Sequence, residues 1–275
     1  MPTILRPDRV AFRFAGPDAH HFLFDVITGR ILPEPGPARW WALLSPQGKV
    51  QCEGLWSWHE DAFWLDVDAA SAEAFFKRMR MYRLRAKVEI EPLGESHVVG
   101  WSDEPVAAAL SDGDGRAQGL GYRIIAPREA ALVWSDNPAL AAGPRIAAGI
   151  PEQGPDFAAD SQFPHDLGMD LLGGVDFAKG CYVGQEVVSR MQHRGTARRR
   201  PVIVSGLADA QPGAGVVVDG KEAGSIGKPA GDMAVAILRL DRITDPAAAT
   251  VNGLPVTLAL PGWATYRFGE SPAAD

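Results

Sequence analysis

The sequence predicts an α+β fold followed by a small β-domain. Two amphipathic helical patterns lie among strand patterns before residue 200, whereas residues 201–275 carry short apolar runs separated by Gly and Pro. The 275 residues, 46% hydrophobic and 22% charged, have the composition of a soluble globular protein, and at about 150 residues per domain the length suggests two domains. We therefore predict an α+β region over residues 1–200 and a β-barrel-like domain over 201–275.

Two helices are predicted near the start of the chain. Asp18 stands before the first pattern, which ends at Gly29 and places residues 22, 23, 26 and 27 on one apolar face. Asp68 stands before the second pattern, over 69–81, whose apolar stripe contains residues 72, 75, 76 and 79. Both aspartates occupy positions where a helix N-cap is expected.

Strand patterns surround these helices. Apolar residues at 40–44 and 54–67 flank the turn Ser45-Pro46-Gln47-Gly48, which predicts a hairpin. The glycine-rich stretch 113–119 lacks the spacing of a dinucleotide-binding loop and is better explained as a hairpin loop. The other strand patterns lie at 85–91, 98–101, 122–125, 202–204, 216–218, 233–240 and 256–260.

Charge and cysteine content exclude several functions. A net charge of -7 argues against direct binding of nucleic acid or of an anionic membrane, although local basic patches remain. No long apolar stretch or signal-peptide pattern is found, so we expect a cytoplasmic protein. We also expect a monomer, because no long heptad pattern occurs. Cys52 and Cys181 cannot supply the four thiolates of an iron–sulfur cluster, so any connection with such clusters is indirect or shared between chains.

The segment 179–186 concentrates the residues that are suited to chemistry. Gly180 and Gly184 allow unusual backbone conformations on either side of the Cys181 thiol. A helix that begins near Gly184 would direct its positive end toward this thiol, and Lys179 would add a positive charge, both of which favour the thiolate. The alternative is that Cys181 is a small buried apolar residue.

Glu186 also has two interpretations. Its carboxylate is suited to bind the amide-like donors of a ligand, with Gln185 beside it. It is equally suited to stabilise the first turn of the helix that follows. The residues alone leave both interpretations open.

The eight residues Lys179-Gly180-Cys181-Tyr182-Val183-Gly184-Gln185-Glu186 resemble the K-G-C-[FY]-x-G-Q-E signature of YgfZ-type folate-binding proteins. These proteins are relatives of the glycine-cleavage T-protein. The resemblance extends more weakly through most of the chain, including residues 82–86, 172–177, 190–195 and 238–241. It implies a three-lobed T-protein-like fold around a central cavity, with two lobes within residues 1–200 and the β-barrel as the third.

The resemblance also implies a function. Proteins of this kind support the assembly or maintenance of iron–sulfur enzymes, some of which modify tRNA. The implied cofactor is tetrahydrofolate or a derivative, and the implied partners are iron–sulfur client or assembly proteins. Cys181 would be the reactive thiol, and the implied folate-binding residues are Lys179, Gly180, Tyr182, Gly184, Gln185, Glu186 and Arg194.

Two departures from the T-protein argue against aminomethyl transfer. Cys52 and Glu53 stand at the approximate place of an aspartate pair in that enzyme, and a thiol does not replace a carboxylate at neutral pH. Ala147 stands where the T-protein carries a glutamate that binds the pterin. A folate-dependent aminomethyl or one-carbon transferase therefore stays only an alternative function.

Other polar and aromatic residues have less specific interpretations. The arginines at 190, 194 and 198–200 are suited to hold an anion or to form a solvated linker, and an RNA-binding or scaffold protein is the third candidate function. The cations between Lys77 and Lys87 are expected mostly on a solvated face. The tryptophans at 40, 41, 56, 58 and 64 are expected in the core, with a pterin-binding wall as the alternative.

Overall fold

The computed structural model describes residues 3–107, 109–195 and 197–270, whose strands form three sheets. The α-helices of these residues are α1 Ala19–Val26, α2 Ala72–Arg83, α3 Ala139–Ala147 and α4 Gln185–Arg194. The predicted α+β fold is confirmed.

The first sheet has the strand order β3-β4-β5-β2-β6. The bounds of its strands are β2 Arg9–Ala15, β3 Arg39–Leu44, β4 Val50–His59, β5 Ala62–Asp68 and β6 Glu89–Pro92. Helices α1 and α2 cover one face of this sheet. The ring of Phe12 in β2 lies 5.0 Å from that of Phe75 in α2, and the ring of Phe14 lies 6.2 Å from that of Phe22 in α1. One apolar core therefore fixes both helices to the sheet.

Several details of this region differ from the prediction, and the largest is that no strand was predicted at β2, Arg9–Ala15. The pattern at 54–67 forms two strands, because Glu60 and Asp61 adopt φ values of 48° and 53° and turn the chain between them. The side chain of Asp18 does not cap α1; its carboxylate accepts a hydrogen bond of 2.7 Å from the backbone N–H of Lys87. Asp68 precedes a short 3₁₀ turn, after which α2 begins at Ala72.

The second sheet has the order β10-β1-β7-β9-β8. Its strands are β1 Thr3–Leu5, β7 His97–Ser102, β8 Leu110–Gly113, β9 Tyr122–Pro127 and β10 Trp134–Ser135. The predicted hairpin loop joins β8 to β9, which pair antiparallel.

The third sheet forms the C-terminal barrel. Its order is β16-β15-β12-β13-β14-β11-β17, and only Val256 separates the two outermost strands along the chain, so the sheet nearly closes on itself. The bounds are β11 Arg199–Ser205, β12 Gly215–Val218, β13 Lys221–Ile226, β14 Met233–Arg239, β15 Ala249–Val251, β16 Leu254–Pro255 and β17 Thr257–Ala259. A separate apolar cluster fills its interior.

In the described ranges, the structure contains no helix that is both long enough and apolar enough to cross a membrane.

Candidate functional site

Lys179 attaches the signature loop, residues 179–184, to the end of α1. Its ammonium donates hydrogen bonds to the carbonyl oxygens of Phe24 at 2.8 Å and Gly29 at 3.3 Å, and also to that of Ile27. These carbonyls lie at the C-terminal end of α1, where helices leave acceptors unpaired. Because the side chain is buried, the pKa of Lys179 falls to about 8.

Gly184 packs the other end of the signature loop against the turn between β3 and β4. Its φ of 81° is one that favours glycine, and a Cβ atom there would lie 2.6 Å from the carbonyl oxygen of Ser45. Gly180 is different, since a Cβ there would make an ordinary contact of 3.6 Å with the Phe24 ring. Gly184, but not Gly180, is therefore required by the local geometry.

The two cysteines have opposite environments. Cys181 is exposed on the signature loop, between the buried residues Lys179 and Tyr182. Cys52 is buried in β4, and burial raises the pKa of its thiol to about 12. The interpretation of Cys181 as a buried apolar residue is therefore wrong. Cys181 is the thiol that solvent and other molecules reach.

The remaining signature residues lie on or next to α4, which begins at Gln185 as the sequence predicts. The ring of Tyr182 is 4.9 Å from the Lys179 ammonium, and burial raises the pKa of its hydroxyl to about 12. Glu186 is in the first turn, with its side chain 77% exposed, and forms an ion pair of 2.5 Å with Arg190. Arg194 ends the helix and is exposed. The structure thus brings all the predicted residues into one loop and helix.

A cavity of about 450 Å³ lies apart from this loop, where the three parts of the fold meet. Its lining contains none of residues 179–186 and not Arg194, as far as the described chain shows. The lining residues are Arg6, Pro7, Asp8, Asp68, Pro138, Ala139, Ala142, Arg145, Glu152, Gly154, Pro155, Lys228, Pro229 and Ala230.

Ion pairs form one wall of the cavity. The Arg6 guanidinium lies 2.6 Å from the Asp8 carboxylate and 2.8 Å from that of Glu152, and Arg145 pairs with Glu152 and Asp156. The cations around Glu152 hold the pKa of this buried carboxyl well below its usual value. In the described part of the chain, two buried atoms of these ion pairs lack a hydrogen-bond partner: Nε of Arg145, which lines the cavity, and Oδ1 of Asp156, which lies behind it.

Glu53 stands at the approximate position of the T-protein aspartate pair, and it has a structural role in this fold. Its carboxylate accepts hydrogen bonds from the Trp40 indole at 2.7 Å and from the backbone N–H of Gln153 at 2.9 Å, and lies 3.5 Å from Arg9. Ala147 is exposed and does not line the cavity. Neither position therefore offers a free carboxylate to a ligand.

The other candidates are mostly used in packing. Trp40, Trp41, Trp56 and Trp64 are buried, and none of them lines the cavity. In the arginine run, Arg200 pairs with Asp170 at 2.7 Å. Sequence reasoning missed Arg6 and Glu152, since the cavity wall is assembled from segments far apart in the chain and no local pattern marks it.

Comparisons with known proteins place this geometry in a family. Residues 198–266 match the family described as "CAF17, C-terminal beta-barrel domain". The fold is shared with the glycine cleavage system aminomethyltransferase T from Bartonella henselae, at a TM-score of 0.70 and 16% identity over 97% of this chain and 87% of that one.

Two curated relatives decide the family. The iron–sulfur cluster assembly factor IBA57 of Mus musculus is 31% identical over 95% of this chain and 85% of its own length. The human protein of the same name is 30% identical over 93% of this chain and 83% of its own length. The chain belongs to the IBA57 family.

This membership confirms the resemblance to T-protein-related iron–sulfur assembly proteins. It also corrects the expected location: both relatives are named as mitochondrial, so the cytoplasmic expectation is contradicted. In residues 3–107, 109–195 and 197–270 no group of three or more His, Cys, Asp or Glu side chains could hold a metal ion.

Proposed function

We propose that this chain supports the assembly or maintenance of iron–sulfur enzymes through the Cys181 thiol. The observation that carries the proposal is an exposed cysteine on a loop fixed at both ends, in a chain of the IBA57 family. Iron–sulfur clusters are held by cysteine thiolates, usually four. Cys181 supplies one ligand, and a client or assembly protein supplies the others while the cluster is passed on.

The surrounding residues hold this thiol in place. Lys179 ties the loop to α1, and Gly184 brings it against the β3–β4 turn. Because these contacts involve backbone atoms at the end of α1 and in the β3–β4 turn, the position of Cys181 is set by the folded protein rather than by the cluster. Such preorganisation lowers the entropic cost of forming a complex with the cluster-bearing partner.

The test compares two cysteine variants in cells that lack their own copy of the protein. Cys181→Ala is expected to abolish the recovery of four-iron enzyme activities, whereas Cys52→Ala, the matched control, is expected to restore them. Levels of thiolated tRNA give a second readout, because the enzymes that make it are proposed clients. Full recovery with Cys181→Ala would refute the role of this thiol.

We further propose that the cavity binds tetrahydrofolate or a derivative. Its volume of about 450 Å³ lies within the roughly 300–1,000 Å³ usual for small-molecule sites. The residues fit such a ligand: the half-exposed Asp8 carboxylate can accept hydrogen bonds from the amide-like edge of a pterin, and the exposed Lys228 can pair with a glutamate tail. Folate would supply one-carbon chemistry when bound.

Anaerobic calorimetry with tetrahydrofolate tests this site. Asp8→Asn is expected to weaken binding several-fold, and Glu186→Ala is expected to leave it unchanged. The opposite pattern would move the ligand to the signature residues, whose folate-binding role is still a prediction. No binding at millimolar ligand would exclude folate at either place.

Aminomethyl transfer is not proposed. The Glu53 carboxylate is fully engaged by Trp40, Gln153 and Arg9, and the raised pKa of Cys52 keeps its thiol neutral. We also propose that the isolated chain is a monomer, which light scattering tests directly.

A further inference from the structure

The end of α2 and the turn after it form an exposed patch that combines positive charge with apolar side chains. Met81 and Leu84 are 60% and 86% exposed, and residues 74–88 contain no acidic side chain. The cations of this segment are Lys77, Arg78, Arg80, Arg83, Arg85 and Lys87. We call these eight residues the α2-end patch.

The cations of the α2-end patch make few contacts within the protein: Arg83 donates a hydrogen bond of 3.4 Å to the carbonyl oxygen of Val88, and Arg80 lies 5.7 Å from the Phe76 ring. Across the described residues none of the six forms a salt bridge, whereas Arg9, Arg116 and Arg145 are buried in ion pairs. Arg80 and Arg83 lie in the last turn of α2, where a cation offsets the helix dipole. The other four have no such role, in a chain whose net charge is -7. The patch is therefore a positively charged region on a protein whose net charge is negative.

Leu84 is held in a backbone conformation that leucine rarely adopts. Its φ is 44° and its ψ is -105°, and the N–H of Ala86 donates to the carbonyl of Arg83 at 2.8 Å across it. This geometry is close to the first central position of a type II′ turn, where glycine predominates. A leucine there carries conformational strain and gains almost no burial. Folding therefore does not explain the choice of residue.

The α2-end patch and Cys181 lie at opposite ends of α1. The backbone of Lys87 is hydrogen-bonded to the Asp18 carboxylate at the start of α1, and Lys179 binds the carbonyls at its end. Eight helical residues span about 12 Å, at 1.5 Å per residue. A protein that covers the patch thus needs to extend only a short distance to reach the thiol.

We propose that the α2-end patch docks an acidic protein segment bearing an apolar side chain, and that this segment belongs to the partner that shares a cluster with Cys181. The identity of the partner rests on the proposed function, whereas the docking chemistry rests on the patch. Acidic groups pair with the surrounding cations, and the apolar side chain packs on Leu84 and Met81. A protein segment suits the patch better than RNA, because an apolar side chain can cover the exposed Leu84 and Met81, whereas a phosphate backbone offers them no apolar surface.

Binding by the full-length protein tests the docking chemistry. The probes are a fluorescent Glu- and Asp-rich peptide with one central leucine, the same peptide with serine at that place, a tRNA and phosphatidylglycerol vesicles. We expect the leucine peptide to bind several-fold more tightly than the serine peptide, with an affinity that falls as salt rises. Patch-dependent binding of tRNA or vesicles in its place, or no binding of the peptide, would overturn the proposal.

Three variants locate the binding. The double variant Arg83→Glu/Arg85→Glu is expected to abolish peptide binding, and Lys221→Glu, an exposed charge reversal on the barrel, is expected to leave it unchanged. Leu84→Gly is expected to weaken binding several-fold while its melting temperature stays equal or rises, because glycine relieves the strain. Wild-type peptide affinity in the double variant and in Leu84→Gly would refute the docking role.

The same variants separate this inference from the proposed function. Cys181→Ala is expected to bind the peptide normally yet fail to restore iron–sulfur enzymes in cells, whereas the double patch variant fails in both assays. If Cys181→Ala restored the enzymes while the patch variant still lost peptide binding, the proposed function would be refuted and the docking surface would be supported. If Cys181→Ala failed to restore the enzymes while the patch variant bound the peptide normally, only the docking proposal would be refuted.

Discussion

The signature loop and a buried ionic network formed by Arg9, Asp66 and Arg123 use their charged residues in opposite ways. In the network, Arg9 and Asp66 are fully buried and bind each other at 2.7 Å, and Arg123 lies 3.0 Å from the same carboxylate. In the loop, the buried Lys179 binds only backbone carbonyls, and Cys181 stays exposed beside it. The network charges serve the fold. The loop residues hold an exposed thiol in place, which is what a site for chemistry requires.

Removing a charge from this network is expected to lower the free energy of unfolding more than any other substitution considered below. Asp66→Asn leaves Arg9 and Arg123 without their shared carboxylate in the interior, which costs about 3–5 kcal/mol of unfolding free energy. Urea denaturation measures this loss. A loss below about 1 kcal/mol would show that the network is not essential for the fold, and the contrast with the loop would disappear.

The acid stability of the network follows from the same carboxylate. The pKa of Asp66 is lowered because Arg123 and Arg9 outweigh the effect of its burial. The ionised Asp66 carboxylate thus contributes fully to the unfolding free energy above the unfolded pKa of about 3.9. This contribution is lost as the pH falls through the lower pKa of the folded state. The unfolding free energy of the wild type should fall over this acidic window, and that of Asp66→Asn should fall less.

Lys179→Met is expected to cause the next largest loss of unfolding free energy. The substitution keeps the length of the side chain but leaves three carbonyls at the end of α1 without their donor, at a cost of about 1.5–3 kcal/mol. Hydrogen exchange should show faster opening of the end of α1. Unchanged exchange there would mean that the loop does not depend on this anchor.

Lys179 also predicts a response to alkaline pH. Its folded pKa of about 8 is below the unfolded value of about 10.4, so between these values the folded state binds fewer protons than the unfolded state. Unfolding free energy should therefore rise with pH over this window in the wild type, relative to Lys179→Met. A parallel pH dependence in the two proteins would contradict the lowered pKa.

The glycines of the loop give a matched pair. Gly184→Ala is expected to cost about 1–3 kcal/mol, because its positive φ and the Ser45 carbonyl both oppose a Cβ atom. Gly180→Ala is the control and is expected to change stability by less than about 0.5 kcal/mol. Thermal denaturation of the two variants measures the difference, and equal melting temperatures would argue against tight packing at Gly184.

Glu186→Ala is expected to have the smallest effect on folding. Its ion pair with Arg190 is an exposed pair one helical turn apart, worth about 0.3–0.5 kcal/mol. Denaturation at low and high salt checks this, because added salt should remove the difference from the wild type. A loss above about 1 kcal/mol would mean that Glu186 belongs with the structural residues.

Local patterns predicted the local structure well. The apolar faces of α1 and α2, the start of α4 and the hairpin of β3 and β4 were all recognisable, because each depends on residues close together in the sequence. Helix α3 was missed because Gly143 and Pro144 lie inside it, and β13 was missed because most of its residues are polar or exposed. Six further strands were also missed, and all but β2 have four residues or fewer: β1, β2, β8, β10, β15 and β16.

Contacts between residues far apart in the chain could not be predicted from the sequence. Lys179 was expected to act on the neighbouring thiol, but its ammonium donates hydrogen bonds to carbonyls about 150 positions away in the chain. Arg6 and Glu152 likewise meet only in the folded protein. Residue types identified the signature loop as unusual, and packing decided which of its members are anchors and which are exposed.

The near closure of the barrel has a consequence for self-association. An unpaired strand edge is a template on which further chains can add β-strands. In the third sheet the two outermost strands have only two and three residues, and only Val256 separates them along the chain, so this domain offers little free template. Unfolding intermediates that open the strands around Val256 would expose such an edge, and they are the species from which fibrillar aggregation of this domain should be seeded.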